Sequence, residues 1–151
     1  MQQTMLKKQT KNVMIYEGTI QYYVIDKNGN DKQVKETYVI DEVETFGQVE
    51  ELLYKEFQDL TDIDVVSIKR SAVNEIIKPK TTEGEQVWMA EVMQTFIDEN
   101  DVEKEMRYKF LFYGMTFDAA NQYVREYMKQ GYDGMELIGL KRTRIKDIFM
   151  G

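Results

Sequence analysis

Two Lys-Arg dipeptides, Lys69-Arg70 and Lys141-Arg142, stand 72 residues apart in a chain whose net charge is −7. With Arg144 close behind the second, they are the densest positive charge outside Met1–Asn12, and grouped cations of this kind suit phosphate oxygens. The plainer alternative is that they cap strand ends and pair with carboxylates such as Glu75 and Asp147. Lys35, Arg107, Lys109, Tyr23 and Tyr113 fall at alternating positions that put them on one side of their strands. Aromatic faces interleaved with cations can stack the bases of single-stranded nucleic acid, each base contributing ~1–3 kcal/mol. A face that is partly apolar also suits association with another protein or with a second copy.

Other chemistry is poorly supplied. The chain has no cysteine and no histidine, which removes thiolate metal sites, disulfides and the usual general base near neutral pH. The run Asp26-Lys27-Asn28-Gly29-Asn30-Asp31 alternates oxygen ligands but lacks the glycine placement and closing glutamate of a calcium loop. Hairpin turns favour the same residues. No phosphate-binding glycine motif, nucleophile elbow or paired acid–base set is present. The expectation is a protein that is not an enzyme and uses no metal and no cofactor.

The elements that would position these groups come from a duplication. Tyr16 corresponds to Trp88, Ile25-Asp26 to Ile97-Asp98, Thr45-Phe46 to Thr116-Phe117, and Ile68-Lys69-Arg70 to Leu140-Lys141-Arg142. Single-residue insertions near Glu44 and Tyr132 fall between elements. Each copy opens with period-two alternation, Tyr16, Gly18, Ile20 and Tyr22 in one and Trp88, Ala90 and Val92 in the other, which predicts half-buried strands. Asn28-Gly29 and Asp98-Glu99-Asn100-Asp101 predict hairpin turns leading to Val34–Ile40 and Met106–Phe112.

Thr45 with Gln48 forms a capping box before Phe46, Val49, Leu52, Leu53 and Phe57 at helical spacing. Thr116 caps a second helix with Phe117, Ala120, Tyr123, Val124 and Tyr127 on one side, and Gly131 stands where a left-handed C-cap is expected. Strands at Val65–Ile68 and Leu137–Leu140 follow, each with a tail able to add an edge strand. The fold expected is α+β: tandem duplicated ββαβ(β) units forming one antiparallel sheet with two helices packed on one face. The divisions are a basic, disordered arm at 1–12, a first unit at 13–77, a linker at 78–86 and a second unit at 87–149, the two units making one pseudo-twofold domain.

The segments Thr116-Phe117-Asp118-Ala119-Ala120 and Ile138-Gly139-Leu140-Lys141-Arg142-Thr143-Arg144-Ile145-Lys146-Asp147-Ile148-Phe149 resemble an uncharacterised domain family of Bacteroidetes and their tailed, crAss-like phages. The resemblance implies no established activity. It points toward early or replication-associated phage genes, and so toward a single-stranded DNA-binding accessory protein in the bacterial cytoplasm. The alternative is a protein-interaction or structural module, a dimer self-associating through the helix-free sheet face or binding a phage or host protein. No apolar run approaches the ~20 residues of a membrane span, and Met1–Asn12 lacks the apolar centre of a signal peptide, so no membrane association is expected.

Overall fold

The computed structural model describes residues 14–130 and 134–151. The expected arm at 1–12 and the expected cap at Gly131 lie outside the described residues. In chain order the elements are β1 (Met14–Ile25), β2 (Asp31–Val43), α1 (Phe46–Glu56), β3 (Asp64–Arg70), β4 (Glu75–Lys78), β5 (Gln86–Ile97), β6 (Glu103–Gly114), α2 (Phe117–Met128), β7 (Met135–Arg142) and β8 (Ile145–Met150).

The hairpins β1–β2 and β5–β6 close on matching turns. Asp26 Oδ1 accepts the amides of Asn28 and Asn30 at 2.8 and 3.0 Å, and Asp98 Oδ1 accepts those of Asn100 and Val102 at the same distances. Both turns need one residue at positive φ. Gly29 takes it at 76° and Asp101 at 59°.

Helix starts are built as the sequence requires. Thr45 Oγ1 accepts from the Gln48 amide, and Gln48 Oε1 accepts in return from the Thr45 amide. Thr116 Oγ1 accepts from the Ala119 amide, where alanine can return nothing. The first-strand aromatics fasten the approach to each helix. Tyr16 donates its hydroxyl to the Glu44 carbonyl (3.1 Å) and Trp88 its indole Nε1–H to the Gly114 carbonyl (2.9 Å).

In the first copy the helix lays Val49 and Leu53 on Tyr16, Ile20, Tyr38 and Ile40. In the second, Ala120 and Val124 cover Trp88, Ala90 and Phe112. Burying a side chain the size of Leu53 contributes roughly 1.5–3 kcal/mol.

A bulge recurs where β1 meets β3 and where β5 meets β7. Thr19 faces Ser67 while Ile20 faces Val65, and Glu91 faces Gly139 while Val92 faces Leu137. Val66 and Ile138 are left without partners and exposed. Both bulges sit on edge strands, where they discourage pairing with another chain.

The α+β architecture of duplicated ββαβ units is present, with eight strands and two helices. The single antiparallel sheet is not. The strands form two four-stranded sheets, in the orders β3-β1-β2-β8 and β4-β6-β5-β7, and each helix packs on its own sheet. The reason is an exchange of final strands. β4 ends the first copy yet runs parallel to β6 of the second, and β8 ends the second yet runs parallel to β2 of the first. Of the described residues, the first compact unit therefore comprises those up to Ser71 with Ile145–Gly151, and the second those from Ala72 to Arg144.

Local bonds fix where the chain crosses from one unit to the other. The Ser71 amide donates to the Ile15 carbonyl, and three residues later the Asn74 amide donates to the Lys109 carbonyl while Asn74 Oδ1 accepts from the Lys109 amide. Each traded strand brings an apolar plug. Phe149 stacks on Tyr38 at 5.2 Å in the first unit, and Ile77 packs into the core of the second. Among the described residues no helix is long and apolar enough to cross a membrane.

Candidate binding surfaces

The Lys-Arg dipeptides lie inside strands, and this decides what they can do. Consecutive strand residues point to opposite faces. Lys69 stands opposite Glu17 and Lys141 opposite Met89, on the helix-free faces of their sheets. Arg70 stands opposite Tyr16 and Arg142 opposite Trp88, on the helix side. All four are exposed, but no dipeptide presents both its cations to one ligand on one face. Arg142 donates from Nη1 to Gln86 Oε1 at 3.1 Å, and Arg144 is exposed between β7 and β8.

The remaining candidates divide by unit. In the first, exposed Lys35 faces Gln21 and Tyr23 faces Gln33, so the two are diagonal neighbours on the helix-free face. Tyr23 is 57% exposed. In the second, Arg107 and Lys109 share the helix-free face with Lys141. Arg107 is paired with Glu91 at 3.5 Å, and Lys109 is half-buried.

Tyr113 does not join them as a stacking platform. It is 4% exposed, its carbonyl accepts from Lys78 Nζ, and Val39, Val87 and Leu111 on the helix-free faces are buried as well. On these faces the inner rows of β2, β5 and β6 are closed, while the outer halves and the edge-strand Lys69 and Lys141 are open.

The outer ends hold what the basic-residue reading missed. A strand of 12 residues such as β1 spans about 40 Å, whereas α1 with 11 spans about 16 Å, so each hairpin outruns its helix. Tyr23, Val24 and Ile25 are exposed at the end of the first hairpin, and Ile97, Val102 and Met106 at the end of the second. Ile25-Asp26 and Ile97-Asp98 match between the copies, which is the sequence signal for this surface. The aspartates are explained by their turns.

Two partly buried polar constellations are structural. Glu36 Oε1 accepts the hydroxyls of Tyr22 (3.0 Å) and Tyr38 (3.2 Å), and Lys146 Nζ lies 3.8 Å from its Oε2. Burial first, then the Glu36 carboxylate, pushes the Tyr38 hydroxyl well above the usual phenol range. Tyr22 is raised by the same causes. Both remain donors at neutral pH.

In the loop before β5, Glu85 accepts from the amides of Thr81 and Thr82 at 2.7 and 2.8 Å and meets Lys78 Nζ at 3.0 Å. The Thr81 amide, the Lys78 ammonium and the Thr82 amide hold its carboxyl down at about 2. Asp98 is likewise lowered, by the Val102 and Asn100 amides. Each of these carboxylates is spent on shaping backbone.

No curated protein is similar to this chain. A family model does match it over residues 14–151, nearly all of the sequence, and the chain belongs to the family of the domain of unknown function DUF4494.

Proposed function

We propose that the chain is a non-catalytic binding module that recognises another protein through the open ends of its two hairpins. The observation that carries this reading is the exposure of Ile25 and Ile97, at 75% and 70%. They are the most exposed large apolar side chains among the described residues and occupy the same place in both copies. Neither contributes to a core, and apolar side chains grouped in the open mark contact surfaces. An origin in Bacteroidetes or their phages, suggested by the closing motif, belongs to the same proposal.

The test compares proteins co-isolated with the tagged wild type and with a doubly substituted Ile25→Asp, Ile97→Asp chain from the native host. A partner held by the wild type and lost by the variant, then reconstituted from purified components, is the expected result. Identical partner sets would overturn the reading.

A second reading, binding of single-stranded DNA in replication, is favoured by the open Tyr23 ring with Lys35 diagonal to it and Lys69 on the same face. The indole of Trp88 is a poor reporter for it, being 6% exposed and bonded to Gly114. Anisotropy of a labelled dT oligomer across salt concentrations is the better measurement. Affinity that falls steeply with salt and is lost on Lys35→Glu supports this second reading.

A further inference from the structure

At the end of the first unit's hairpin the loop after α1 turns back over β1 and leaves a cleft of about 350 Å³. Tyr22, Tyr23, Val24 and Leu60 line it, and Asp59 and Asp62 stand at its wall. The volume is at the small end of ligand pockets, roughly 300–1,000 Å³, and accommodates one or two side chains. Tyr23, Val24 and Leu60 are exposed, so the apolar lining is open to a partner. Ile25, immediately beyond, extends it.

Among the described residues no cation pairs with the charge on the wall, and no ion pair involves Asp59 or Asp62. Asp62 holds a positive φ of 59°, which fixes the loop's path beside β3. An apolar cleft with an unpaired acidic wall complements one chemistry: an apolar side chain that enters while a neighbouring cation meets the carboxylates. An acidic or phosphorylated segment would be repelled.

We infer that this cleft takes an apolar side chain from a partner segment carrying lysine or arginine beside it. The inference rests on the protein-binding reading and names the partner's chemistry at one of its two surfaces. Apolar burial supplies the anchor, and the two aspartates select for the cation.

A random peptide library displayed on phage, selected on the full-length chain, tests it. The expected enrichment is for Leu, Ile, Met or Phe next to Lys or Arg. A synthetic peptide of the enriched sequence should bind an Asp59→Lys, Asp62→Asn chain about tenfold more weakly at low salt, with the difference shrinking as salt rises. Asparagine is chosen at 62 because it tolerates positive φ. Leu60→Glu should abolish binding.

Enriched peptides without cations, no enrichment at all, or affinity indifferent to all three substitutions would overturn the inference. Peptides lost on Ile97→Asp but unaffected at the cleft would sink this inference while leaving the protein-binding reading intact.

Discussion

Gly18 and Leu53 compete for one space: a Cβ built on Gly18 would lie 2.5 Å from Leu53 Cδ1. The second copy solves the same contact differently. Ala90 stands where Gly18 does and Val124 where Leu53 does, and both are fully buried. One methyl has moved from helix to strand with the volume nearly conserved, the kind of exchange that cores tolerate.

Gly18→Ala alone should therefore destabilise the chain by about 1–3 kcal/mol through overpacking. Leu53→Val alone should cost about 1 kcal/mol through lost burial. The double variant, which copies Ala90 and Val124, should cost clearly less than the sum. Urea unfolding of the four proteins gives the coupling, and strict additivity would show that the two side chains do not share the space.

The hairpin turns offer a second comparison. Gly29 and Asp101 take equivalent positions at positive φ. Left-handed backbone costs a residue with a side chain about 1–2 kcal/mol, with aspartate among the better tolerated. Gly29→Ala should lower stability by about 1 kcal/mol, and Asp101→Gly should raise it by about 0.5 kcal/mol after glycine's entropy is allowed for. Thermal melts decide this, and destabilisation by Asp101→Gly would contradict the account.

Much of this structure was legible in the sequence because its causes are local. The capping box at Thr45 and Gln48, the alternation through Tyr16 and Ile20, and the turns at Asp26 and Asp98 depend on neighbours a few residues away. The strand exchange was not legible. Ile77 and Phe149 end equivalent tails, and β2 and β6 offer equivalent edges, so nothing local says which edge each tail joins. The burial of Tyr113 was hidden for a related reason, since alternation assigns a face but not what covers it. The splitting of Lys69 from Arg70 follows from strand periodicity alone. A charged dipeptide is a patch only where the backbone does not alternate.

Acid should reveal the loop built on Glu85. Its carboxyl is lowered from 4.5 to about 2 in the folded chain, because donors stabilise the charged form. A depressed folded pKa gives stability that is complete above the unfolded value and is lost as pH falls from about 4.5 toward 2. Glu85→Gln should lower the melting temperature at pH 7, and the deficit should close as pH approaches 2. A carboxyl carbon titration placing the Glu85 midpoint near 4.5 would remove the basis for this expectation.

The exposure of Ile25 and Ile97 makes a demand that can be checked before any partner is known. A side chain that is about three-quarters exposed and outside both cores should be replaceable by a charged one at little cost, within about 0.5 kcal/mol at such surface positions. Ile25→Asp and Ile97→Asp should each leave the urea midpoint and its slope unchanged. They should also make the chain more soluble, since each removes an apolar group from open surface and adds to the negative charge. Measured stability losses of several kcal/mol would mean that these residues are held by structure after all, and their exposure could no longer be assigned to binding. Unchanged stability with a lost partner would separate the two copies' surfaces, because each substitution touches one hairpin end and leaves the other intact.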